Sequence, residues 1–165
     1  MRRRGTWIAS LALFGLAGCW YSFAGGGLPP HIHTMAITTF DNQTASPDIP
    51  KELYDTLHAE LDRRLGVRDA PQARADALVR GVIQSYQADV PVGFSANSKQ
   101  SETAQRQLEI TVEIEIVDQS NGHVLYQNKA LRAEASYPER AEETGRAQAI
   151  KKIVQTIVEG VQSNW

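Results

Sequence analysis

Leu108-Glu109-Ile110-Thr111-Val112-Glu113-Ile114-Glu115-Ile116 alternates apolar and polar residues without a break. Successive side chains of an extended chain point to opposite faces, so this run sets five aliphatics on one face and three carboxylates on the other. A helix with the same residues would spread its aliphatics around the whole circumference. The segment is therefore a strand with one covered face and one wet face, and the cover must come from elsewhere in the chain.

The flanks supply it. Ser120-Asn121-Gly122-His123 follows, and Asn-Gly suits the primed turns of hairpins. A strand from Val124 to about Tyr137 then returns antiparallel. Upstream, Ala77 to Gln87 reads as a central strand, because Leu78, Val79, Val82, Ile83 and Tyr86 leave neither face wholly polar. Asp89 to Gln105, with Pro91, Gly93 and Asn97, reads as an extended hairpin loop. Ile32 to Phe40 is rich in β-branched residues and makes the first strand.

Two segments carry helical periodicity. From Pro50 to Leu65, Leu53, Leu57, Leu61 and Leu65 recur every four residues, Pro50 suits a first turn and Gly66 a terminus. After Pro138, Ile150, Ile153, Val154, Ile157, Val158, Val161 and Trp165 form an apolar stripe reaching the end of the chain. Gly66 to Ala75 is polar and reads as loop. The predicted order is β-α-β-β-β-α, an α+β two-layer sandwich with two helices on one face of a four-stranded sheet.

The N-terminus has a different grammar. Arg2, Arg3 and Arg4 precede the apolar run Trp7 to Ala17, and Leu16-Ala17-Gly18-Cys19 closes it. Basic, apolar and small residues in that order form a secretory signal, and its last four residues resemble a bacterial lipobox. That resemblance implies cleavage before Cys19 and acyl chains on its thiol and amine. Trp7 to Ala17 is eleven residues, too short to span a bilayer, which takes about 20. Residues 1–18 are thus expected to be a leader, 19–30 a lipidated tether containing three glycines and Pro29-Pro30, and 31–165 one domain. Trp20 stands where an Asp would favour inner-membrane retention, so the expected destination is the outer membrane.

Composition narrows the function. Loss of Arg2, Arg3 and Arg4 with the leader moves the net charge from −2 to −5, and no element gathers the basic cluster of a nucleic-acid footprint. Cys19 is the only cysteine, so no disulfide can staple the domain and a packed core must hold it. His31 and His33 would share a strand face and invite a metal reading, but no third ligand stands at a recognised spacing. Glu109, Glu113 and Glu115 need no catalytic explanation beyond alternation. Neither a phosphate loop nor a nucleophile elbow occurs. No enzyme, no cofactor and no metal is expected.

Cys19-Trp20-Tyr21-Ser22-Phe23, Leu28-Pro29-Pro30-His31-Ile32, Phe40-Asp41-Asn42-Gln43-Thr44, Ala75 to Ile83 with Tyr86, and the alternating strand followed by Asn121-Gly122-His123-Val124-Leu125 together resemble the LptE family of lipopolysaccharide-assembly lipoproteins. The resemblance covers nearly all of the chain after Cys19. It implies an LptD-like outer-membrane β-barrel as partner, with the domain seated inside the barrel as a plug and assembly factor, and lipopolysaccharide as ligand. Val67-Arg68-Asp69-Ala70-Pro71 departs from relatives, which often begin an apolar strand there. Lys99 and Arg106 flank the hairpin loop and are the residues placed to donate to phosphates. The other reading is a secretion-pore or cell-wall-associated accessory lipoprotein with a similar domain.

Overall fold

The computed structural model describes residues 27–90 and 105–163. Its elements are β1 (Thr34–Ile37), β2 (Asp41–Asn42), α1 (Ile49–Leu65), β3 (Arg68–Asp69), β4 (Ala77–Val90), β5 (Gln105–Asp118), β6 (Val124–Pro138) and α2 (Glu142–Ser163). The strands form one mixed sheet in the order β3-β1-β4-β5-β6, with β2 also paired to β4. β1 runs parallel to β3 and β4, whereas β4, β5 and β6 form an antiparallel meander. The two-layer α+β architecture is the expected one.

The sheet carries two more strands than the four expected, each only two residues long. β3 lies in the polar segment that reads as loop. Val67 is 4% exposed, and its burial draws Arg68 and Ala70 alongside β1, where their amides donate to the carbonyls of His33 and Met35. Burial of one aliphatic thus extends the sheet in a stretch of polar composition. The central hairpin is also longer than its sequence suggests, because β4 continues to Val90 and β5 begins at Gln105.

Alternation in β5 is realised as expected. Leu108, Ile110, Val112, Ile114 and Ile116 are all fully buried beneath Leu53, Leu57 and Leu61 of α1 and Ile150, Ile153, Val154, Ile157, Val158 and Val161 of α2. Burying each such side chain contributes roughly 1.5–3 kcal/mol, so this face is the main source of stability in a domain without disulfides. Helix α1 stops at Gly66, whose φ of 65° is the left-handed cap a side chain resists. Trp165, at the end of the helical stripe, lies outside the described residues.

One ion pair joins the helices. Arg146 of α2 donates from Nε and Nη2 to the two carboxylate oxygens of Glu52 in α1 at 2.9 and 2.7 Å, and its side chain is only 12% exposed. Truncation leaves the Glu52 carboxylate with fewer donors and opens the helix seam. Arg146→Ala is expected to cost about 1–3 kcal/mol, read as a lower melting temperature with an unchanged circular-dichroism spectrum.

Candidate functional site

Three surfaces hold the polar groups from which function can be built. At the end of the sheet where the chain enters the domain, Asp118 closes β5. It is 1% exposed. Its Oδ1 accepts from the Ser120 amide and hydroxyl at 2.8 and 2.6 Å, and its Oδ2 accepts from Asn121 Nδ2 at 2.9 Å. His31 Nε2 sits 2.7 Å from the same Oδ2. Alongside, Asp76 Oδ2 takes the amides of His33 and Thr34 and the Thr34 hydroxyl. Two carboxylates thus tie the entering chain to the β5–β6 connection. That connection is five residues, 119–123, rather than a two-residue turn, because Asp118 organises it, and Gly122 within it has a positive φ of 74°.

The Ser120 and His31 hydrogen bonds hold the Asp118 carboxyl down at about 2, below its ordinary 3.8. A carboxyl depressed in the folded state lends stability above its unfolded pKa and loses it as pH falls through the folded value. Asp118→Asn is therefore expected to lower the melting temperature at pH 7, and the gap from the parent should close between about pH 4 and pH 2. A gap unchanged at pH 2 would contradict this role. The Asp-x-Ser-Asn-Gly spacing could have revealed this knot, because short Asx side chains bond their own backbone two residues on.

The second surface lies at the opposite end, where β4, β5 and β6 meet the start of α2. An open cleft of about 740 Å³ is lined by Asp89, Arg106, Tyr137, Glu139, Arg140, Glu142, Glu143 and Arg146. Arg106 bridges Asp89 and Glu139 at 2.6 and 2.9 Å, and both hydrogen bonds push its guanidinium further up in pKa. Tyr86 donates to Glu142 at 2.5 Å, Tyr137 donates to the Ala88 carbonyl, and burial raises the Tyr86 phenol.

The third surface is the wet face of the sheet. Here Arg80 pairs with Glu115, Arg132 with Glu109, Gln84 with Glu113 and Gln107 with Glu134. Cross-strand pairing of this kind keeps a large face hydrated while giving each of these carboxylates a cation or an amide donor.

Arg106 is thus placed in the cleft, already engaged by carboxylates; Lys99 and Cys19 lie outside the described residues. His31 and His33 are drawn to different carboxylates, and among the described residues no three His, Cys, Asp or Glu side chains could hold a metal ion. None of the described helices is long and apolar enough to cross a membrane.

The family model for LptE, described as lipopolysaccharide-assembly, matches residues 32–162. The chain belongs to the LptE family. Among curated proteins, no sequence matches. Solved structures share the LptE-like fold at low identity. The PelC dodecamer from Paraburkholderia phytofirmans is 16% identical, with 84% of this chain and 93% of that one covered at a TM-score of 0.57. A putative lipoprotein from Caulobacter crescentus is 13% identical, with coverage of 80% and 90% and a TM-score of 0.54. A hypothetical protein from Chlamydia trachomatis is 12% identical, with coverage of 79% and 96% and a TM-score of 0.56. At such identities the likeness concerns the fold.

Proposed function

We propose that this protein is a non-enzymatic outer-membrane lipoprotein, anchored through acyl chains on Cys19, that plugs and helps assemble an LptD-like β-barrel and takes part in delivering lipopolysaccharide to the outer leaflet. The observation that carries the reading is the LptE family match across residues 32–162. The paired polar sheet face supports it, because a body inside a water-filled barrel needs a hydrated exterior. Lys99 and Arg106 are the proposed phosphate donors. Arg140 lines the same cleft and has no carboxylate partner among the described residues. An anion reaching Arg106 must compete with Asp89 and Glu139, so binding at the cleft is local and salt-sensitive.

Anchoring depends on one residue. Each buried methylene contributes about 0.8 kcal/mol, and a single chain holds only marginally. Cys19→Ala is therefore expected to move the protein from the membrane pellet to the soluble fraction; persistent pelleting after a carbonate wash would contradict lipid anchoring. The reading as a whole is tested by depleting the protein in its host. Loss of correctly folded barrel and of surface lipopolysaccharide is expected, whereas normal levels of both would overturn it.

A further inference from the structure

β6 is the exposed edge of the sheet. Among the described residues it has a strand neighbour on one side only, and at fifteen residues it is far longer than β3 at the other edge. Its first half is interrupted where Asn128 pairs with Ile114 and Leu131 with Val112, which leaves Lys129 and Ala130 as a bulge. Bulges and lysines blunt an edge. From Leu131 to Pro138 the register against β5 is continuous, and that half has no such interruption.

The open backbone groups can be identified. Lys152 Nζ of α2 donates to the Glu134 carbonyl at 2.7 Å, so that carbonyl points away from β5. In an antiparallel ladder, alternate residues share this orientation, so Arg132 and Ser136 also present their amides and carbonyls outward. Beside them runs a groove of about 530 Å³ between the β6 edge and the flank of α2, lined by Arg132, Glu134, Lys152, Gln155, Thr156 and Glu159.

We propose that this edge pairs with the same edge of a second copy, antiparallel about a two-fold axis through Ala133. Charge and hydrogen bonding select that register together. Centring on Ala133 sets Arg132 opposite Glu134 of the second copy and Glu134 opposite its Arg132. Both residues face outward, so each opposed pair exchanges two backbone hydrogen bonds, the Glu134 carbonyl taking the Arg132 amide of the second copy where it now takes Lys152 Nζ, and the two Ala133 residues meet as the close, non-hydrogen-bonded pair. Centring on Glu134 would instead oppose the two carboxylates. Leu131, Ala133 and Ala135, buried on the helix-facing side, would continue the apolar layer across the axis.

The helices permit it. α1 and α2 together cover the sheet, and a helix about 10 Å wide spans roughly two strands spaced about 4.8 Å. α2 packs over β6 and β5, so pairing the two edges brings the second α2 alongside the first, over the groove. Lys152, Gln155, Thr156 and Glu159 follow helical spacing with a base at one end and an acid at the other, so antiparallel copies oppose unlike charges. This dimer is a form of the protein outside any barrel complex and is independent of the function proposed above.

Sedimentation of the detergent-solubilised full chain across a concentration range tests it. A reversible monomer–dimer equilibrium is expected. Arg132→Glu should weaken it by about tenfold or more while the monomer still melts cooperatively, and Arg132→Glu with Glu134→Arg should restore it. Ala133→Cys should give a disulfide-linked dimer on oxidation that the parent does not give. A monomer at every concentration, a dimer indifferent to Arg132→Glu, or a swap that fails to restore would each overturn the proposal. So would capture of another protein's extended segment on this edge in place of a second copy.

Discussion

Val112→Asp is expected to remove the cooperative melting transition near neutral pH. Val112 is fully buried, faces α1 and α2, and sits between Ile83 of β4 and Leu131 of β6 in the ladder. A carboxylate there has no partner within the aliphatic layer, so it must either remain charged at great cost or take up a proton. The loss is on the order of 3–5 kcal/mol, which removes most of the stability of a small domain without disulfides near the low end of the usual range of about 5–15 kcal/mol. The neighbouring Glu113 gives the contrast. It lies on the wet face and takes a hydrogen bond from Gln84 at 3.2 Å, so Glu113→Ala should shift the melt only slightly. Full cooperative melting of Val112→Asp would show that this face of β5 does not meet the helices.

Gly81→Val is expected to be nearly as damaging, for a different reason. Gly81 lies in the interior of β4 opposite Ile114. A Cβ placed there would land on the Glu113 carbonyl oxygen and 2.6 Å from Phe40 Cε1. Phe40 is itself 2% exposed, packed where the chain passes from β1 to β2, so neither the backbone nor the ring has room to withdraw. Overpacking by an isopropyl group at such a point is expected to cost about 3 kcal/mol. A falling yield of folded protein and an early denaturant midpoint would show it. A midpoint equal to the parent's would mean that Phe40 does not close over β4.

These two positions differ in how openly the sequence declares them. Val112 is legible because alternation over nine residues admits one reading, and the same holds for the leucine row of α1 and the apolar stripe of α2. Gly81 is not, because a glycine inside a strand says that something comes close without saying what. Phe40 is forty-one residues away in the chain and only folding brings it near. The β3 strand was hidden by its composition: Arg68 and Asp69 are both exposed, and pairing rests on Val67 and on backbone groups that any sequence possesses.

The polar sites show the same division. The carboxylates of β5 are correctly read as a hydrated face, yet their partners Arg80, Gln84 and Arg132 come from β4 and β6, and register decides which meets which. Arg106 is visible as a cation beside the hairpin. Its engagement by Asp89 and Glu139 depends on the end of β4 and the approach to α2 converging. Asp118 follows a strand of look-alike acids, and apart from the short Asx-type spacing to Ser120 and Asn121 it is its burial and its contact with His31, from the far end of the chain, that set it apart.

The proposed function makes an outer-membrane β-barrel the partner whose presence matters most. The full-length protein, carrying a C-terminal affinity tag, is to be extracted from its host's membranes in mild detergent and captured, and the stoichiometry read by native mass spectrometry. One outer-membrane β-barrel per copy is the expected result. Capture that yields only further copies of this chain, or cell-wall fragments with no barrel, would contradict the account.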